Sequence, residues 1–496
     1  MKRTNIHQTI LAFMVSTLAL AFTTSCSDWL DVKPKSQLDV DDLYQSENGF
    51  SESLTGVYAN MTETNLYGKK LTWEFIELLG GGYKAWGTTY NNDVTYAYKH
   101  DNPEQWTGTI DKIDEIWDNL YTQIANLNIL LENIDGKQQL FSDDNYRIIK
   151  GEAIGLRAFL HFELLRMFGP AYSEGKDVVC IPFISELTTD VPPLLTVDQM
   201  LTLLISELQT SIELMENDPI RTGETPNSVL ASLPSGNSYT QYVETYHNRR
   251  FHFNYYAAWA TLARVYLWKN DRANALAAAK EVIQAQEERF PWVVDENLRM
   301  IGSTSTDNPN QDRTFATEHV FALNITKLED HITGYLYYTG NAANLFDSDL
   351  SQFENQTIDP RLQYLYTQVG NRNVLSKFIQ QDNVYSFFQE RIPLIRVSEM
   401  FYIAAECEAS PAEGVKWLEE VRNNRGLSSR PLPAGITAEQ LQAEILKEYR
   451  REFCGEGQMW YYYKRHLARE IPNMTNFNST SLYTFDRPED EDLYRE

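Results

Sequence analysis

The 496-residue sequence is poor in cysteine, and beyond its first 25 residues it has no apolar run that approaches a membrane span. A transmembrane helix needs about 20 consecutive apolar residues. Its 4 cysteines are Cys26, Cys180, Cys407 and Cys454, and they say little about disulfides. The last three lie in apolar or helical surroundings, so we expect them to be buried free thiols.

Basic residues are also scarce. The chain has 43 Lys+Arg against 69 Asp+Glu, a formal net charge of −26. Residues 1–25 contain Lys2 and Arg3 and no acidic residue, so a chain without them carries −28. Such a surface repels phosphate backbones and anionic headgroups, which argues against nucleic-acid binding. A hydrophobic content of 43% is sufficient for a substantial core.

Catalytic signatures are missing as well. The sequence contains no H-E-x-x-H, G-x-S-x-G or Walker motif, and Gly80–Gly82 lacks the strand–helix context of a phosphate-binding loop. His247 and His252 have no acidic partner at metal-ligand spacing. The segments Asp307–Asp312 and Asp347–Asp349 superficially suggest calcium, but they lack the glycine and distal glutamate of an EF-hand. We therefore predict a non-enzymatic protein without a cofactor, and calcium binding is unsupported.

Cys26 follows a sequence typical of a bacterial lipoprotein signal. Lys2 and Arg3 precede an apolar stretch, Ile10–Phe22, and small residues lead to the cysteine. This pattern predicts a signal peptide over residues 1–25 and lipid attachment to Cys26. The alternative is an ordinary secretory signal cut after Ala21, because Thr23 stands where a lipoprotein site usually has leucine.

Helical periodicity dominates the remaining sequence. It predicts helices over 113–134, 146–168, 196–215, 255–268, 272–289, 393–408, 412–425 and 438–466. The residues Trp259, Leu262, Ala263, Tyr266, Ala275, Ala279 and Val282 match the spacing of a tetratricopeptide repeat. Small residues in such a repeat let two antiparallel helices approach closely. The fold class is therefore mainly α, with a scaffold of tetratricopeptide-like helical hairpins over about 113–170, 196–216, 255–289 and 393–466.

Three long polar segments interrupt this scaffold, at about 77–107, 219–250 and 290–390. They mix Asn, Gly and Thr with aromatic residues, which total 29 Tyr, 23 Phe and 10 Trp in the whole chain. We interpret them as irregular loops with short strands. Loops of this size in a compact protein are usually functional.

These loops carry the candidate ligand-binding residues. Tyrosine and tryptophan in such polar segments cannot all be core residues, so their excess indicates a recognition surface. The leading candidate is Trp86, which lies between alanine and glycine in a polar stretch. The others are Tyr83, Tyr90, Asn91, Asn92, Trp106, Trp292, Tyr335 and Tyr337, with Tyr338 beside the last two. For the tyrosines of 335–338 the alternative is a β-hairpin with its alternate tyrosines in the core, and for Trp73, Trp117, Trp259 and Trp268 we expect core positions.

Several short motifs follow one another in a characteristic order along the chain. They are Cys26–Asp31, Gly151–Phe159 running on to Leu165–Pro170, Ala263–Leu267, Asp359–Arg361, Ile392–Glu406, Val421–Gly426 and Glu448–Gly457 with Lys464 and Arg465. In this order and spacing the sequence resembles the SusD/RagB family of Bacteroidota outer-membrane lipoproteins. It departs from the family's usual Glu-Arg-x-x-Glu at Glu448–Glu452, which lies in the scaffold.

The resemblance implies a single SusD-like domain over residues 26–496. It also implies a lipid-anchored, cell-surface protein of the outer membrane that binds a glycan without chemistry and caps a SusC-like TonB-dependent transporter. A surface glycoside hydrolase and a peptide-binding or assembly module on the same scaffold remain the alternatives. Arg157, Arg396, Arg422 and Glu406 are expected to form scaffold ion pairs, and Asp359 and Arg361 to fix a loop to the scaffold.

Overall fold

The structure is a computed structural model. It describes residues 42–85, 93, 107–188, 190–232, 249–298, 311–340, 344–354, 357–380, 384, 386–474, 477, 479–493 and 495. Within these ranges no helix combines the length and the apolarity that a membrane span requires. Cys26 and the predicted signal peptide lie outside the described residues.

The first part of the chain is mostly helical. Its elements are α1 Glu47–Met61, α2 Phe75–Leu79, β1 Tyr83–Ala85, α3 Thr107–Ile134, α4 Asn145–Phe168, α5 Tyr172–Gly175, β2 Val179–Pro182, β3 Leu194–Thr196, α6 Val197–Leu214, α7 Pro226–Ser232, α8 Tyr255–Trp268, α9 Arg272–Ile283, α10 Gln286–Arg289 and α11 Asp295–Leu298.

The second part begins with strands and ends in helices. Its elements are β4 His319–Asn324, α12 Leu328–Ile332, β5 Asp347–Ser348, α13 Pro360–Tyr364, β6 Tyr366–Val369, β7 Arg372–Leu375, β8 Arg391–Arg396, α14 Val397–Cys407, α15 Pro411–Asn424, α16 Ala438–Glu452, α17 Met459–Arg465 and α18 Glu489–Leu493. The strands of the described ranges pair antiparallel in twos, as β1–β5, β2–β3, β4–β8 and β6–β7.

Local sequence explains where the long helices begin. Thr196 and Thr437 form capping boxes with Gln199 and Gln440 at the starts of α6 and α16. Asn254 accepts hydrogen bonds from the first backbone N–H groups of α8. These side chains satisfy donors that have no partner inside the helix.

Close helix packing explains the small residues of α4. A side chain at Gly155 would place its Cβ 2.4 Å from the ring of Phe253 and from the hydroxyl of Ser211. Because only glycine leaves this space open, α6 and the start of α8 can both lie against α4. Nearly every residue of α4 from Gly151 to Phe168 is buried, so this helix forms the centre of the core.

The helices stack in the order that the repeat pattern predicts. Helix α4 packs against α3 and α6, α8 against α6 and α9, and α14 against α9 and α15. One continuous apolar core runs through these hairpins and into the strand region. The predicted mainly α scaffold is confirmed. The buried positions of Trp73, Trp117 and Trp268 agree with the core predicted for them, and Trp259 is half-buried.

Several helix boundaries differ from the prediction. Helix α3 begins at Thr107 and not at Ile113, and the predicted helix over 272–289 is divided into α9 and α10. Residues 393–396 belong to the fully buried strand β8, and α14 begins only at Val397. The predicted helix over 438–466 is two helices, because Gly455 and Gly457 adopt positive φ values of 73° and 68° between them. At Gly457 an added Cβ would also lie 2.5 Å from the carbonyl oxygen of Leu71, so the chain approaches α2 closely there.

A buried ionic network joins the strand region to the last scaffold helices. Both carboxylate oxygens of Glu452 are shared by Arg361, Arg396 and Arg425, with the Arg396 Nη1–Oε1 distance at 2.5 Å and the Arg425 Nη2–Oε1 distance at 2.6 Å. These cations hold the pKa of Glu452 well below its usual range against the opposing effect of burial. Asp359 accepts the backbone N–H and two side-chain N–H groups of Arg361, which fixes this loop to the scaffold as predicted.

The other predicted scaffold ion pairs are also present. Arg157 pairs with Glu207, Arg422 with Glu448 at 3.0 Å, and Glu406 forms two hydrogen bonds with Arg465. Such buried charges need partners in a low-dielectric interior. The three cysteines of the described ranges are buried free thiols, as the sequence indicates.

Candidate ligand-binding surface

Two of the predicted ligand-binding segments meet in the structure. Strand β1, which follows the three glycines at 80–82, pairs antiparallel with β5, and Tyr83 lies opposite Ser348. The backbone N–H of Asp349 donates to the carbonyl oxygen of Gly82 at 3.1 Å. Lys84 and Asp347 add an ion pair at 3.4 Å on the outer side. The loop that begins after β1 therefore starts beside the segment that carries Tyr335 and Tyr337.

An aromatic cluster lies under this junction. We call Trp73, Tyr83, Tyr335 and Phe346 the Tyr335 cluster. Ring centroids are 4.7 Å apart for Tyr83–Phe346, 5.8 Å for Tyr335–Phe346 and 5.9 Å for Trp73–Tyr335. Aromatic pairs at these distances are favourable beyond the area they bury. The amino group of Lys69 lies 4.2 Å from the centroid of Tyr335, within the range of a cation–π interaction.

The members of the Tyr335 cluster differ in exposure. Trp73, Tyr83 and Phe346 are buried, whereas Tyr335 is half-buried. The neighbouring Tyr337 is also half-buried and Tyr338 is 47% exposed. The buried members of the cluster thus belong to the core. The tyrosines of residues 335–338 place partly exposed aromatic rings at the surface beside it.

Tight turns hold residues 335–338 in place. Helix α12 ends at Ile332, and Gly334, at a φ of 83°, donates its N–H to the carbonyl oxygen of Tyr337 at 2.9 Å. The N–H of Phe346 donates to the carbonyl oxygen of Tyr335 at 3.0 Å. The predicted alternative for these tyrosines, a regular hairpin, is not what forms, because in the described ranges only an isolated bridge joins Thr333 to Tyr337.

The glycine turn at 80–82 is clamped on both sides. Gly81 has a φ of 71°, and an added Cβ would lie 2.2 Å from the carbonyl oxygen of Pro472. The Asn473 amide donates to the carbonyl oxygen of Gly81 at 2.9 Å. An added Cβ at Gly82 would lie 2.3 Å from the carboxylate of Glu77. Only glycine fits at these two positions, so the turn sets the direction of β1.

Glu77 is the buried titratable group beneath this turn. Its carboxylate accepts the N–H of Gly457 at 3.1 Å. Burial raises its pKa to about 7, although hydrogen bonds from Gly455 and Gly457 and the charge of Lys377 act in the opposite direction. The cavity between Glu77, Asp349 and Arg450 has a volume of about 20 Å³, which is room for a water molecule and not for a sugar ring. A ligand bound at this turn would therefore lie on the surface above it.

The carboxylates of the Asp347–Asp349 segment already have protein partners. Asp347 accepts the N–H of Asn373 at 2.8 Å and pairs with Lys84. Asp349 pairs with Arg450 at 2.7 Å. Across the described ranges, no group of three or more His, Cys, Asp or Glu side chains is arranged to hold a metal ion.

The structure places some of the sequence-predicted site residues and not others. Cys26, Trp86, Tyr90, Asn91, Asn92 and Trp106 lie outside the described residues. Tyr83 is 1% exposed and its hydroxyl donates to the carbonyl oxygen of Trp73 at 2.5 Å. Burial leaves neither face of this ring open to a ligand, so Tyr83 is a core residue that supports the surface.

Trp292 lies in a different environment. Its ring packs on Phe401 at 5.1 Å, and the guanidinium of Arg425 lies 5.3 Å from its centroid. Both partners belong to the scaffold and neither belongs to the Tyr335 cluster. The structure therefore brings Tyr335 close to β1 and leaves Trp292 outside this group. Lys69 is not recognisable from the sequence, because nothing in the local pattern connects it to Tyr335.

Comparison with known proteins agrees with this architecture. Residues 28–233 match a family model described as "Starch-binding associating with outer membrane" (SusD-like), and residues 327–493 match the model of the SusD family. SusD-like protein P2 of Formosa agariphila is 22% identical, over 96% of each chain.

Solved structures share the fold. A SusD-like carbohydrate binding protein from Bacteroides vulgatus superposes with a TM-score of 0.67 at 17% identity, over 90% of this chain and 96% of the other. Surface glycan-binding protein A from Bacteroides uniformis gives a TM-score of 0.60 at 18% identity, over 90% and 95%. The two family models match residues 28–233 and 327–493, which contain the N-terminal and the C-terminal parts of the scaffold. The chain belongs to the SusD/RagB family.

Proposed function

We propose that this protein binds an oligosaccharide or polysaccharide at the outer-membrane surface and passes it to a SusC-like TonB-dependent transporter, without chemistry of its own. The observation that carries the proposal is the meeting of β1 with β5. It brings the end of β1, which Trp86 follows in the sequence, close to the segment of the half-buried Tyr335 and Tyr337. Aromatic faces beside polar, amide-rich loops suit the C–H faces and hydroxyls of sugars.

The binding surface in this proposal includes residues 335–338. Trp86, Tyr90, Asn91 and Asn92, which follow β1 in the sequence, would add aromatic and amide groups to it. The buried ring of Tyr83 supports the base of the loop by packing on Phe346. Because the surface is open, affinity would be modest, which suits release to a partner.

The helical scaffold and the predicted lipid anchor also have roles in this proposal. The helical hairpins and the loops form one domain over residues 26–496. A lipid on Cys26 would tether the protein to the outer membrane and keep it close to the transporter. Names of family members support a carbohydrate ligand: one solved relative is a carbohydrate binding protein and another a surface glycan-binding protein.

Affinity electrophoresis of the purified protein in gels that contain individual polysaccharides tests the proposal. We expect at least one neutral glycan to retard the protein. Trp86→Ala and Tyr337→Ala should weaken retention roughly fivefold or more, since the loss of about 1 kcal/mol of aromatic contact changes Kd by that factor. Tyr266→Ala is the matched control, because Tyr266 is a half-buried tyrosine on the scaffold helix α8.

Two outcomes would contradict the proposal. Release of shorter products from a retained glycan would indicate a hydrolase. Unchanged retention by both Trp86→Ala and Tyr337→Ala would place the glycan elsewhere on the molecule. Co-purification of a TonB-dependent transporter with the membrane-bound protein tests the transfer step separately.

A further inference from the structure

A buried arginine outside the proposed glycan surface has no carboxylate partner among the residues that the structure describes. Arg313 is 4% exposed. Its Nη1 donates to the carbonyl oxygen of Ser376 at 3.2 Å, and within the described ranges its Nε and Nη2 have no hydrogen-bond partner. A buried donor without an acceptor is costly, and a buried charge without a partner more so.

The neighbouring carboxylate does not neutralise Arg313. Asp312 directs its carboxylate away, to the backbone N–H groups of Ala316 at 2.8 Å and Thr317 at 3.4 Å. Burial lowers the pKa of Arg313 to about 10, with no opposing contribution from an acidic group. This arginine therefore differs from Arg361, Arg396 and Arg425, each of which pairs with two or more carboxylates.

Arg313 lines a small cavity at the base of the 311–389 region. The cavity has a volume of about 10 Å³, and its described lining contains no carboxylate. Its lining residues are Gln311, Arg313, Thr314, Lys377, Ile379, Gln380, Val384, Phe388 and Gln389. Lys377 is already paired with Glu456, so Arg313 supplies the uncompensated charge.

A second unpartnered donor lies in the same lining. The hydroxyl of Thr314 is buried and has no hydrogen-bond partner in the described part of the chain. A cavity of about this volume has room for one atom-sized group. The guanidinium edge of Arg313 and the hydroxyl of Thr314 are both donors, and the group that satisfies donors beside an unpaired cation is an anion.

We propose that the Arg313 cavity binds one anionic atom, either a free halide or a single carboxylate oxygen of an acidic sugar whose remaining atoms lie outside the cavity. This atom would accept hydrogen bonds from Nε and Nη2 of Arg313 and from Thr314. The chain has a net charge of −26, and this cavity is a local positive site within it. The cavity would favour ligands that carry a negative charge, whereas the aromatic surface would favour ligands whose shape fits its rings. Binding of a free inorganic anion is independent of the proposed function. Binding of an acidic sugar rests on that function.

Crystals of the wild-type protein soaked in sodium bromide test the binding of a free inorganic anion directly. We expect an anomalous peak within hydrogen-bond distance of Nε and Nη2 of Arg313. This measurement needs no variant, so it does not depend on whether a mutated protein folds.

Thermal unfolding in solution tests both sources of the anion. In sodium bromide the wild type should unfold at a higher temperature than in the sodium salt of morpholinoethanesulfonate at equal ionic strength, because the bulky sulfonate does not fit the cavity, and Arg313→Met should lose this difference. Arg430→Met, which removes an exposed arginine, is the matched control and should keep it. Thermal unfolding with galacturonic acid, compared with galactose, tests whether the anion comes from a sugar. If the acid alone raises the unfolding temperature and bromide abolishes this rise, the cavity binds the carboxylate of a sugar.

A water molecule in the cavity of the bromide-soaked crystal, together with equal anion responses of wild type and Arg313→Met, would overturn the proposal. If bromide binds at Arg313 but no glycan retards the protein, the anion site is supported and the proposed function is contradicted. Binding of galacturonic acid without bromide would also support the anion site, with the sugar as the source of the anion.

Discussion

Arg425 and Glu318 form a bidentate ion pair, with Nη1–Oε1 at 2.9 Å and Nη2–Oε2 at 2.6 Å and both side chains fully buried. Arg425 follows the scaffold helix α15, whereas Glu318 directly precedes β4. The pair therefore ties the strand region to the helical hairpins at a point where no water screens the charges. Glu318 also accepts the N–H of Val293 at 3.0 Å, so it fixes the entry to the insertion as well.

Glu318→Gln should destabilise the protein by about 3–5 kcal/mol, because it leaves buried arginine charge without its full complement of carboxylates. Denaturant unfolding followed by circular dichroism measures this change. Glu413→Gln is the control, since Glu413 and Lys416 form an exposed pair with side chains 54% and 68% accessible. Its loss should cost at most about 0.5 kcal/mol, and equal losses for the two variants would contradict the assigned role of Glu318.

Glu77 should make stability depend on pH in an unusual direction. Its folded-state pKa is raised to about 7 from the ordinary glutamate value of 4.5, so the folded protein holds this proton over a pH range in which the unfolded chain has lost it. Stability should therefore be greatest below pH 4.5 for this group and fall by about 3 kcal/mol as pH rises through 7. Glu77→Gln, which resembles the protonated form, should remove that part of the slope and be the more stable protein at pH 8.

The difference between wild type and Glu77→Gln, measured by denaturant unfolding at pH 5 and pH 8, isolates this group from others that titrate in the same range. Exposed Glu63 provides the control variant Glu63→Gln. An unchanged difference between the two pH values would show that the Glu77 carboxyl is ionised in the folded protein at both.

Gly81→Ala should disturb the base of the ligand surface. The left-handed backbone costs about 1–3 kcal/mol for a residue with a Cβ, and the contact with Pro472 would also force the turn to move. Gly370→Ala is matched for backbone, with a φ of 61°, but an added Cβ there meets nothing within 4 Å. Unfolding measurements should show the larger loss for Gly81→Ala, and glycan retention should fall only in that variant.

The buried cysteines should resist alkylation. Burial raises the pKa of Cys180 and Cys454 to about 11 and that of Cys407 to about 12, so few thiolates exist at pH 8. Iodoacetamide should leave all three unmodified in the native protein and label them after unfolding in guanidinium. Mass spectrometry of tryptic peptides reads this out, and rapid labelling of any one under native conditions would contradict its burial.

Cys26→Ser tests the predicted lipid anchor. We expect the wild type in the membrane fraction and the variant in the soluble fraction, because the remaining chain would have no acyl group to hold it. Metabolic labelling with a radioactive fatty acid should mark only the wild type. Equal release of both proteins would favour the alternative, a secretory signal cut after Ala21.

The periodic parts of the sequence predicted the fold well. Helix α8 lies at the predicted residues 255–268, and Asn254 and Thr196 cap helices where the sequence places the starts. Strand β8 was assigned to a helix because its continuous apolar run has no period that separates the two. Helix α1 was missed although Phe50, Leu54, Val57, Tyr58 and Met61 follow helical spacing.

The sequence predicts which segments form the candidate surface but not that they lie together. Aromatic residues among polar ones indicate the segments 80–93 and 335–338, and the pairing of β1 with β5 brings them together. The contacts of Tyr335 with Trp73 and Lys69 connect residues more than 260 positions apart, so no local pattern indicates them. For the same reason, the sequence does not tell which carboxylate neutralises Arg425 or that Arg313 has none among the described residues.

The pairing of β4 with β8 has a consequence for the length of the chain between them. His319 lies opposite Arg396 and Asn324 opposite Arg391, so residues 325–390 leave the scaffold and return to it at adjacent points. With the ends held together, lengthening the intervening chain costs only about 0.6 kcal/mol per doubling of a flexible loop. Changes in length near Tyr335 and Tyr337 should therefore leave the helical hairpins unaltered, provided that Arg361 keeps its buried ion pairs with Glu448 and Glu452.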